Sequence, residues 1–264
     1  MKKNIAFVLA IVSVAIAGAS DGMARSKAPR IEVVRGEFDN YVFAVSYQRD
    51  FCLSHPNKTE CQSEDILDGM GLHGLWPNRN DDPRNQYGYC DLSEKQVGSN
   101  WCTPEIDVKS QIKDEIYEKL TMAMPGVQSC LYNHEWYAHG SCSGLSADDY
   151  FANASLLTFK FWKLESINDL IFNNEGQSVT RTDILDALEE DLGPRVRDAV
   201  VVSCRYDKKT GTSYLSEIHI ALDKEKYMNF PAEDSLSKMK PRKSHDGTMV
   251  KDEGNCPEEI VISK

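Results

Sequence analysis

Eight cysteines constrain the fold of this chain more than any other feature of its sequence. They are Cys52, Cys61, Cys90, Cys102, Cys130, Cys142, Cys204 and Cys256. None belongs to a C-x-x-C pair, so zinc-ribbon spacing is absent, and an even number in an exported chain predicts four disulfides. Sequence alone leaves on the order of a hundred pairings open. The polar stretch between Cys52 and Cys61 predicts a loop closed by a bridge between these two residues.

The first residues carry the three parts of a secretory signal. Lys2 and Lys3 give a positive start, residues 5–17 are apolar apart from Ser13, and residues 17–19 are small. The apolar run is shorter than the about 20 residues that span a bilayer. We expect a cleaved signal over residues 1–19, with residue 24 as the alternative end, and an exported protein, periplasmic or secreted. No break in composition divides residues 20–264, which predicts a single domain.

The net charge limits the partners of the chain. Its 264 residues include 41 acidic and 30 basic side chains, which gives a formal net charge of −11. Proteins that coat or slide along nucleic acid need a basic surface, so the charge argues against that class. It leaves open an enzyme that grips a few phosphates at one site. No apolar stretch after the signal is long enough to cross a membrane, so we expect no membrane partner.

Hydrophobic patterning predicts both strands and helices. Strands are predicted over residues 41–47, 72–76, 199–204 and 214–222, the second ended by Pro77. Helices are predicted over residues 105–124 and 130–139, after the cap Ser146 through residue 162, and over 183–192 after the cap Thr182. Residues 52–71 and 78–104 are expected to be loops, and the tail from residue 223 is polar. This order favours an α+β fold, a central antiparallel sheet flanked by helices and held by four disulfides.

The last predicted strand alternates in character. Leu215, Glu217 and His219 alternate with Ser216, Ile218 and Ile220. This period of two is typical of a half-buried strand. His219 has no partner motif in the sequence, and neither His55 nor His245 has one, so none of the three receives a role.

Two short segments concentrate histidine beside glycine and tryptophan: Leu-His-Gly-Leu-Trp-Pro over residues 72–77, and His-Glu-Trp-Tyr-Ala-His-Gly-Ser-Cys over residues 134–142. A zinc protease motif separates its histidines by four residues on one helical face. His134 and His139 are five apart, which is about 140° around a regular helix, so they are not expected to chelate one ion. A catalytic thiol at Cys142 is disfavoured because that cysteine should be oxidised. The plain alternative is that these histidines and tryptophans are packed core residues. Two clusters of similar composition make that alternative less attractive than a single histidine would.

His73 and His139 suit a general acid and a general base, because histidine has a free pKa of about 6.5. They lie on different segments, so they would flank a substrate from two sides. RNA cleavage needs a base that takes the proton of the 2′-hydroxyl and an acid that protonates the departing 5′-oxygen. Cationic or hydrogen-bonding groups must stabilise the phosphorane. Trp76 is suited to stack on a splayed base.

Both segments resemble the active-site segments of the ribonuclease T2 family, which are secreted, metal-independent acid endoribonucleases with an α+β fold. Residues 73–77 match the family pattern in full, and the second segment matches at His134, Glu135, Trp136, His139, Gly140 and Cys142. Phe38, Asp39, the strand over residues 41–47 and Cys52 resemble the opening strand of the bacterial form. The resemblance extends from about residue 38 to the end of the chain.

The resemblance implies a role for each matching residue. His139 would be the general base, His73 the general acid and His134 a phosphate-binding residue. Glu135 would position and polarise the catalytic centre, and Trp76 would stack on the base. The product would be a 2′,3′-cyclic phosphate, opened more slowly to a 3′-phosphate, with no cofactor or metal. The resemblance also implies the bridges Cys90–Cys142, Cys102–Cys130 and Cys204–Cys256.

Two positions depart from the family pattern. Ala138 stands where the family usually has Lys or Arg, a cation whose loss costs about 10²–10³ in rate. The loop candidates for a substitute are Lys58, Arg79 and Arg84. Asn78 stands where an Asp that holds the base is common. Asn78 and Tyr87, with Tyr89 as an alternative, are the remaining candidates for base binding.

The sequence thus supports an exported endoribonuclease with low base specificity, RNA as its substrate and a monomeric state. The alternative that Ala138 motivates is a catalytically impaired relative that acts as a secreted RNA-binding or host-interaction protein. The presence of His73, Glu135 and His139 argues against this alternative.

Overall fold

The strands predicted from the sequence all belong to one sheet in the computed structural model. This structure describes residues 32–62, 66–82, 87–90, 101–103, 106–243 and 249–264. Contacts divide the chain into Met1–Arg30 and Ile31–Lys264. The expected signal over residues 1–19, with its alternative end at residue 24, lies outside the described residues. So does Arg84.

The main sheet has the antiparallel character that the sequence predicts. Its strands are β1 Asn40–Tyr47, β2 Met70–Asn78, β3 Ser178–Thr180, β4 Val200–Asp207, β5 Thr212–Asp223 and β8 Glu259–Val261. The order is β2-β1-β5-β8-β3, with β4 also paired to β5, and the β5–β8 pair is parallel. Two short strands, β6 Arg242–Lys243 and β7 Met249–Val250, pair separately. The α+β prediction is confirmed, although the tail predicted only as polar contributes β8 to the sheet.

The described part of the chain also contains α-helices. They are α1 Gln48–Ser54, α2 Asp114–Ala123, α3 Leu131–Ala138, α4 Ala147–Phe161, α5 Glu165–Asn173, α6 Arg181–Leu192 and α7 Val196–Ala199. Ser146 caps α4 as predicted, since its side chain accepts a hydrogen bond from the Asp149 N–H. None of these helices combines the length and apolar character needed to cross a bilayer.

Three helix predictions need correction. The second helix begins at Asp114 rather than residue 105, because Ile112 and Lys113 have extended backbone. Thr180, not Thr182, caps α6, because Thr180 and Asp183 form a reciprocal capping box. Helices α1, α5 and α7 fall in stretches where no helix was predicted. Helix α1 replaces the first part of the expected loop over residues 52–71, and α7 includes Ala199, which was predicted as the first residue of a strand.

Strand β2 continues through Pro77 to Asn78, whereas the sequence predicted an end at residue 76. Among the described strands, β2 pairs only with β1, so it is an edge strand. A proline can occupy an edge strand because the missing N–H can face away from the ladder.

Helix α4 and the disulfides fix this edge strand and the segments around it. The Tyr150 hydroxyl donates to the Leu75 carbonyl at 2.7 Å, and the Trp162 indole donates to the Met70 carbonyl at 2.6 Å. The disulfides are Cys52–Cys61, Cys90–Cys142, Cys102–Cys130 and Cys204–Cys256, the pairs expected above. Cys90–Cys142 ties the loop after β2 to the segment that follows α3. Both histidine segments are therefore held to one framework.

Two β-bulges decide which side chains face away from the helices. Between β1 and β2, Ala44 pairs with Gly74 and Val45 with Leu72, so His73 is an extra residue of β2. Between β4 and β5, Ser203 pairs with Glu217 and Cys204 with Leu215, so Ser216 is an extra residue of β5. A bulge reverses the face of every residue beyond it. Simple alternation predicted that Leu215 shares a face with Glu217 and His219. Because of the bulge, Leu215 is instead buried in the core on the other face.

Candidate active site

The side chain of His73, in the first histidine segment, contacts β5 on the face of the sheet that points away from the helices, called the open face below. Simple alternation from Trp76 would point residue 73 into the core, and the bulge turns His73 to the face that carries Trp76. There the His73 Nδ1–H donates to Glu217 Oε1 at 2.7 Å. The His219 Nε2–H donates to the other oxygen, Oε2, also at 2.7 Å. An acceptor-only carboxylate fixes which ring nitrogen carries the proton in each imidazole.

The second histidine segment forms α3 and the turn after it. The helix ends at Ala138, and His139 has φ −131° and ψ −60°, outside helical values. The rings of His134 and His139 therefore approach to 5.9 Å between centroids and are nearly perpendicular. The separation expected above holds only for a regular helix. In the structure, one nitrogen or oxygen from each of His134, Glu135 and His139, of the kind that can coordinate a metal ion, lies within 4.8 Å of the other two.

Glu135 links the two segments. Its side chain is 0% exposed, and its Oε2 accepts a hydrogen bond from the Trp76 indole at 2.7 Å. Its Oε1 lies 3.6 Å from His73 Nε2. A Cβ at Gly74 would lie 2.0 Å from Glu135 Oε2 and 2.3 Å from Trp76 Nε1. Only glycine at position 74 leaves room for this hydrogen bond.

Electrostatics separates the two proposed catalytic histidines. Burial alone would lower the pKa of His73, but the hydrogen bond to Glu217 and the charges of Glu135 and Glu217 outweigh it and raise the pKa to about 9. Burial, together with the neighbouring His134 and His73, lowers the pKa of His139 to about 3. The two groups therefore favour opposite protonation states over a wide pH range.

Burial also shifts the pKa values of Glu135 and His134 on α3. Burial raises the pKa of Glu135 to about 7, although His73 and the Trp76 hydrogen bond oppose the shift. Burial and the charge of His73 lower the pKa of His134. A histidine of lowered pKa is neutral until an anion such as a phosphate stabilises its charged form.

Trp76 stands at the centre of these rings. Its centroid lies 5.1 Å from that of His73, 5.3 Å from that of His139 and 5.2 Å from that of His219. A cavity of about 710 Å³ opens beside Trp76 and His139. A second cavity of about 360 Å³ is lined by His73 and His134. The two histidines predicted as the acid–base pair thus line two different cavities.

The predicted base-binding residues lie at the larger cavity. Asn78 and Tyr87 both line it. The Asn78 amide donates to Asn40 Oδ1 at 2.8 Å, and the Tyr87 hydroxyl donates to the Val34 carbonyl at 2.7 Å. Both side chains are buried and already bonded to protein. Tyr89 is instead 37% exposed, and its N–H donates to the Ala138 carbonyl.

The positions of the candidate cations show which of them lie near the site and could replace a cation at position 138. Ala138 is 3% exposed. Arg79 pairs with Asp81 and lines neither cavity. Lys58 lines the smaller cavity, and Lys240 lines the larger one, where its ammonium donates to the Asp82 carbonyl at 3.0 Å. Lys240 belongs to a run of four basic residues in the sequence, Lys238, Lys240, Arg242 and Lys243, and was not among the candidates drawn from the loops.

Sequence reasoning missed Glu217 and His219. Both lie on the open face of β5, next to His73 and Trp76. The only signal was their spacing of two residues on a predicted half-buried strand, which puts a carboxylate and an imidazole on one face. Their partner on β2 could not be read from the sequence, because the bulge at His73 sets it.

Comparison with known proteins identifies the family and, through it, the class of enzyme, an endoribonuclease. The model of the Ribonuclease T2 family matches residues 38–231, so the chain belongs to the ribonuclease T2 family. It is similar to Ribonuclease I of Escherichia coli, 28% identical with 87% of each chain covered. It is also similar to Ribonuclease 1 of Arabidopsis thaliana, 28% identical over 71% of this chain and 77% of that protein.

Solved structures share the fold. A variant of RNase MC1 in complex with 5′-UMP superposes with a TM-score of 0.59 at 17% identity, over 86% of this chain and 99% of that one. Unmodified RNase MC1 comes from the seeds of bitter gourd. RNase NT in complex with 5′-AMP gives a TM-score of 0.55 at 20% identity, over 86% and 98%. The predicted family and fold class are confirmed.

Proposed function

We propose that this protein is an exported endoribonuclease that cleaves single-stranded RNA by attack of the 2′-hydroxyl on the adjacent phosphate. The observation that carries the proposal is the placement of His73 and His139 beside one indole, that of Trp76, with ring centroids 5.1 Å and 5.3 Å from it. An in-line displacement needs a base and an acid on opposite sides of the phosphorus. The product is a 2′,3′-cyclic phosphate, which is opened more slowly to a 3′-phosphate.

His139 is the general base in this proposal and His73 the general acid. The lowered pKa of His139 keeps it neutral and able to accept the proton of the 2′-hydroxyl. The raised pKa of His73 keeps it protonated until it transfers its proton to the departing 5′-oxygen. His134 binds the phosphate, and Glu135 orients Trp76 and supports the charge of His73.

The two cavities give the RNA its direction. The larger cavity, beside Trp76 and His139, receives the nucleotide that carries the attacking 2′-hydroxyl, with its base against the indole. The smaller cavity, beside His73 and His134, receives the leaving nucleoside. Asn78 and Tyr87 shape the larger cavity. Because the Asn78 amide nitrogen and the Tyr87 hydroxyl already donate to protein, these groups read the base weakly, which agrees with low base specificity.

Export, metal independence and a monomeric state complete the proposal. Residues 1–19 are a cleaved signal and residues 20–264 form one ribonuclease domain, and the tomato relative named Extracellular ribonuclease LE supports export, to the periplasm or beyond. The His–His chemistry requires no metal or cofactor. No observation in the described part of the chain favours the non-catalytic alternative.

The decisive assay is incubation of the purified protein with a single-stranded RNA in EDTA. A DNA of the same sequence is the matched control, because it lacks the 2′-hydroxyl. We expect internal cleavage of the RNA and none of the DNA. Cleavage of both, or of neither, contradicts the proposed function.

The pH dependence follows from the two histidine pKa values. The base must be deprotonated and the acid protonated, so kcat/KM should fall as the pH drops toward about 3 and as it rises past about 9. Repulsion between RNA and a chain of net charge −11 weakens as carboxylates protonate, which moves the optimum to the acid side of neutral. Initial rates at constant ionic strength measure the profile, and an optimum above about pH 8 would contradict it.

A lysine at position 138 tests whether a phosphorane-stabilising cation is missing. We expect Ala138→Lys to raise kcat by about tenfold, because one donor to the developing charge is worth about 10²–10³ at full effect. Ala138→Met, of similar length without the charge, is the control for packing at this buried position. If the lysine variant is no faster than the methionine variant, a cation elsewhere, at Lys58 or Lys240, already does this work.

A further inference from the structure

A carboxylate on β5 is anchored at both oxygens directly behind His73. Glu217 Oε1 accepts hydrogen bonds from His73 Nδ1 at 2.7 Å and from the Ser46 hydroxyl at 2.9 Å. Glu217 Oε2 accepts a hydrogen bond from His219 Nε2 at 2.7 Å. We propose that Glu217, held by Ser46 and His219, is the positioning residue that fixes the orientation and proton location of His73. This proposal rests on the proposed function only for its effect on catalysis.

The geometry leaves one tautomer for His73. A carboxylate only accepts, so the proton of the neutral ring must lie on Nδ1, and Nε2 is the nitrogen that exchanges a proton at the reaction centre. That nitrogen lies 3.6 Å from Glu135 Oε1. Ser46 pairs with Glu217 across β1 and β5, so the strand register itself holds the carboxylate in place.

The bulges explain why this contact exists. Glu217 lies next to the extra residue Ser216 of β5, and His73 is the extra residue of β2. Without the bulge in β2, alternation would turn His73 into the core, away from Glu217. Two local irregularities on two strands thus converge on one hydrogen bond, which is typical of bulges at functional sites.

The charge of Glu217 is constant where the enzyme works. Burial favours its neutral form, but hydrogen bonds from His219 and His73 outweigh burial and hold its pKa well below the usual value. The other ionisable groups that face His73 are Glu135, His134 and His139, all from α3 or its end. Glu135 titrates at about 7, so it is a variable partner. Glu217 is the permanent anion beside the proposed acid.

Glu217→Gln removes this charge and keeps the shape. We expect kcat to fall about 10–100-fold with little change in KM, because the orientation and charge of the acid are perturbed rather than RNA binding. The basic limb of the pH–rate profile should move down by at least about one pH unit. A substrate with a nitrophenolate leaving group, which needs no acid, should lose much less activity. An unshifted basic limb, or an equal loss with both substrates, overturns the proposal.

A titration of the His73 ring by NMR gives a second readout that does not depend on RNA cleavage. In the wild-type protein the neutral ring should carry its proton on Nδ1, and the pKa of His73 should fall in Glu217→Gln. Glu217→Asp, which keeps the charge, serves if the glutamine variant fails to fold, and should retain the high pKa. An unchanged titration in Glu217→Gln, or a fall in Glu217→Asp equal to that of neutral variants such as Glu217→Ala, overturns the proposal.

The matched control is Glu259→Gln. Glu259 also accepts a hydrogen bond from a serine on the adjacent strand, Ser178, at 3.1 Å, and it lines neither cavity. It should leave the pH profile and the His73 titration unchanged. If the wild-type protein fails to cleave RNA while the NMR titration behaves as expected, the proposed function fails and the positioning role of Glu217 stands.

Discussion

Replacement of either His73 or His139 by alanine should lower kcat for RNA cleavage by about 10²–10⁴-fold, the largest effect that the structure predicts for a single side chain. General acid–base catalysis contributes about 10²–10⁴ for each group. His73 and His139 face different cavities, so neither can take over the role of the other. Steady-state rates on a short RNA, with thermal melting to verify folding, measure the loss.

The leaving group distinguishes the two variants. His73→Ala removes the acid. A uridine 3′-nitrophenyl phosphate has a phenolate leaving group that departs without a proton, so the His73→Ala variant should cleave it at nearly the wild-type rate. His139→Ala removes the base and should remain slow with the same substrate. The reverse pattern would exchange the two roles, and full activity of either variant on RNA would contradict the mechanism.

A methyl group at position 74 should disable the site almost as thoroughly. In Gly74→Ala the new Cβ would overlap Glu135 Oε2 and Trp76 Nε1, the two atoms that form the central hydrogen bond. We expect a loss of about 10²-fold or more in kcat, and a fall of about 1–3 kcal/mol in the free energy of unfolding, because overpacking forces these buried groups apart. Rate assays and urea unfolding measure the two quantities.

Trp76→Phe is the comparison for this variant. It deletes the same hydrogen bond without adding an atom and keeps an aromatic face for the base. Its loss of kcat should be smaller than that of Gly74→Ala. An alanine variant at position 74 that is as active as wild type would contradict the close approach of Glu135 to β2.

The sequence predicts the parts of the site that local motifs carry. The two segments around His73 and His139 contain their chemistry in consecutive residues, and β1 has a continuous apolar pattern, so each is visible without a structure. Helix α4 is equally visible, because Ser146 and the acidic residues after it form a local cap. Such features depend on neighbours within a few positions along the chain.

The parts that were missed depend on pairing between distant segments. Whether His73 faces Glu217 is decided by a bulge, and one inserted residue reverses the face of a strand without changing its composition. Pro77 lies inside β2 because that strand is at an edge, which is a property of the whole sheet. The ring of His139 approaches His134 because the helix ends one residue earlier, and backbone dihedral angles at a helix end are not encoded by spacing.

The most direct test of the central claim is the identity of the new RNA ends. Brief digestion of a defined single-stranded RNA in EDTA, followed by mass spectrometry of the fragments, should give 2′,3′-cyclic phosphate and 5′-hydroxyl ends, with 3′-phosphate accumulating later. These ends require attack by the 2′-hydroxyl, the step assigned to His139. Fragments with 5′-phosphate and 3′-hydroxyl ends would instead require attack by water on the other side of the phosphorus, and would contradict the account.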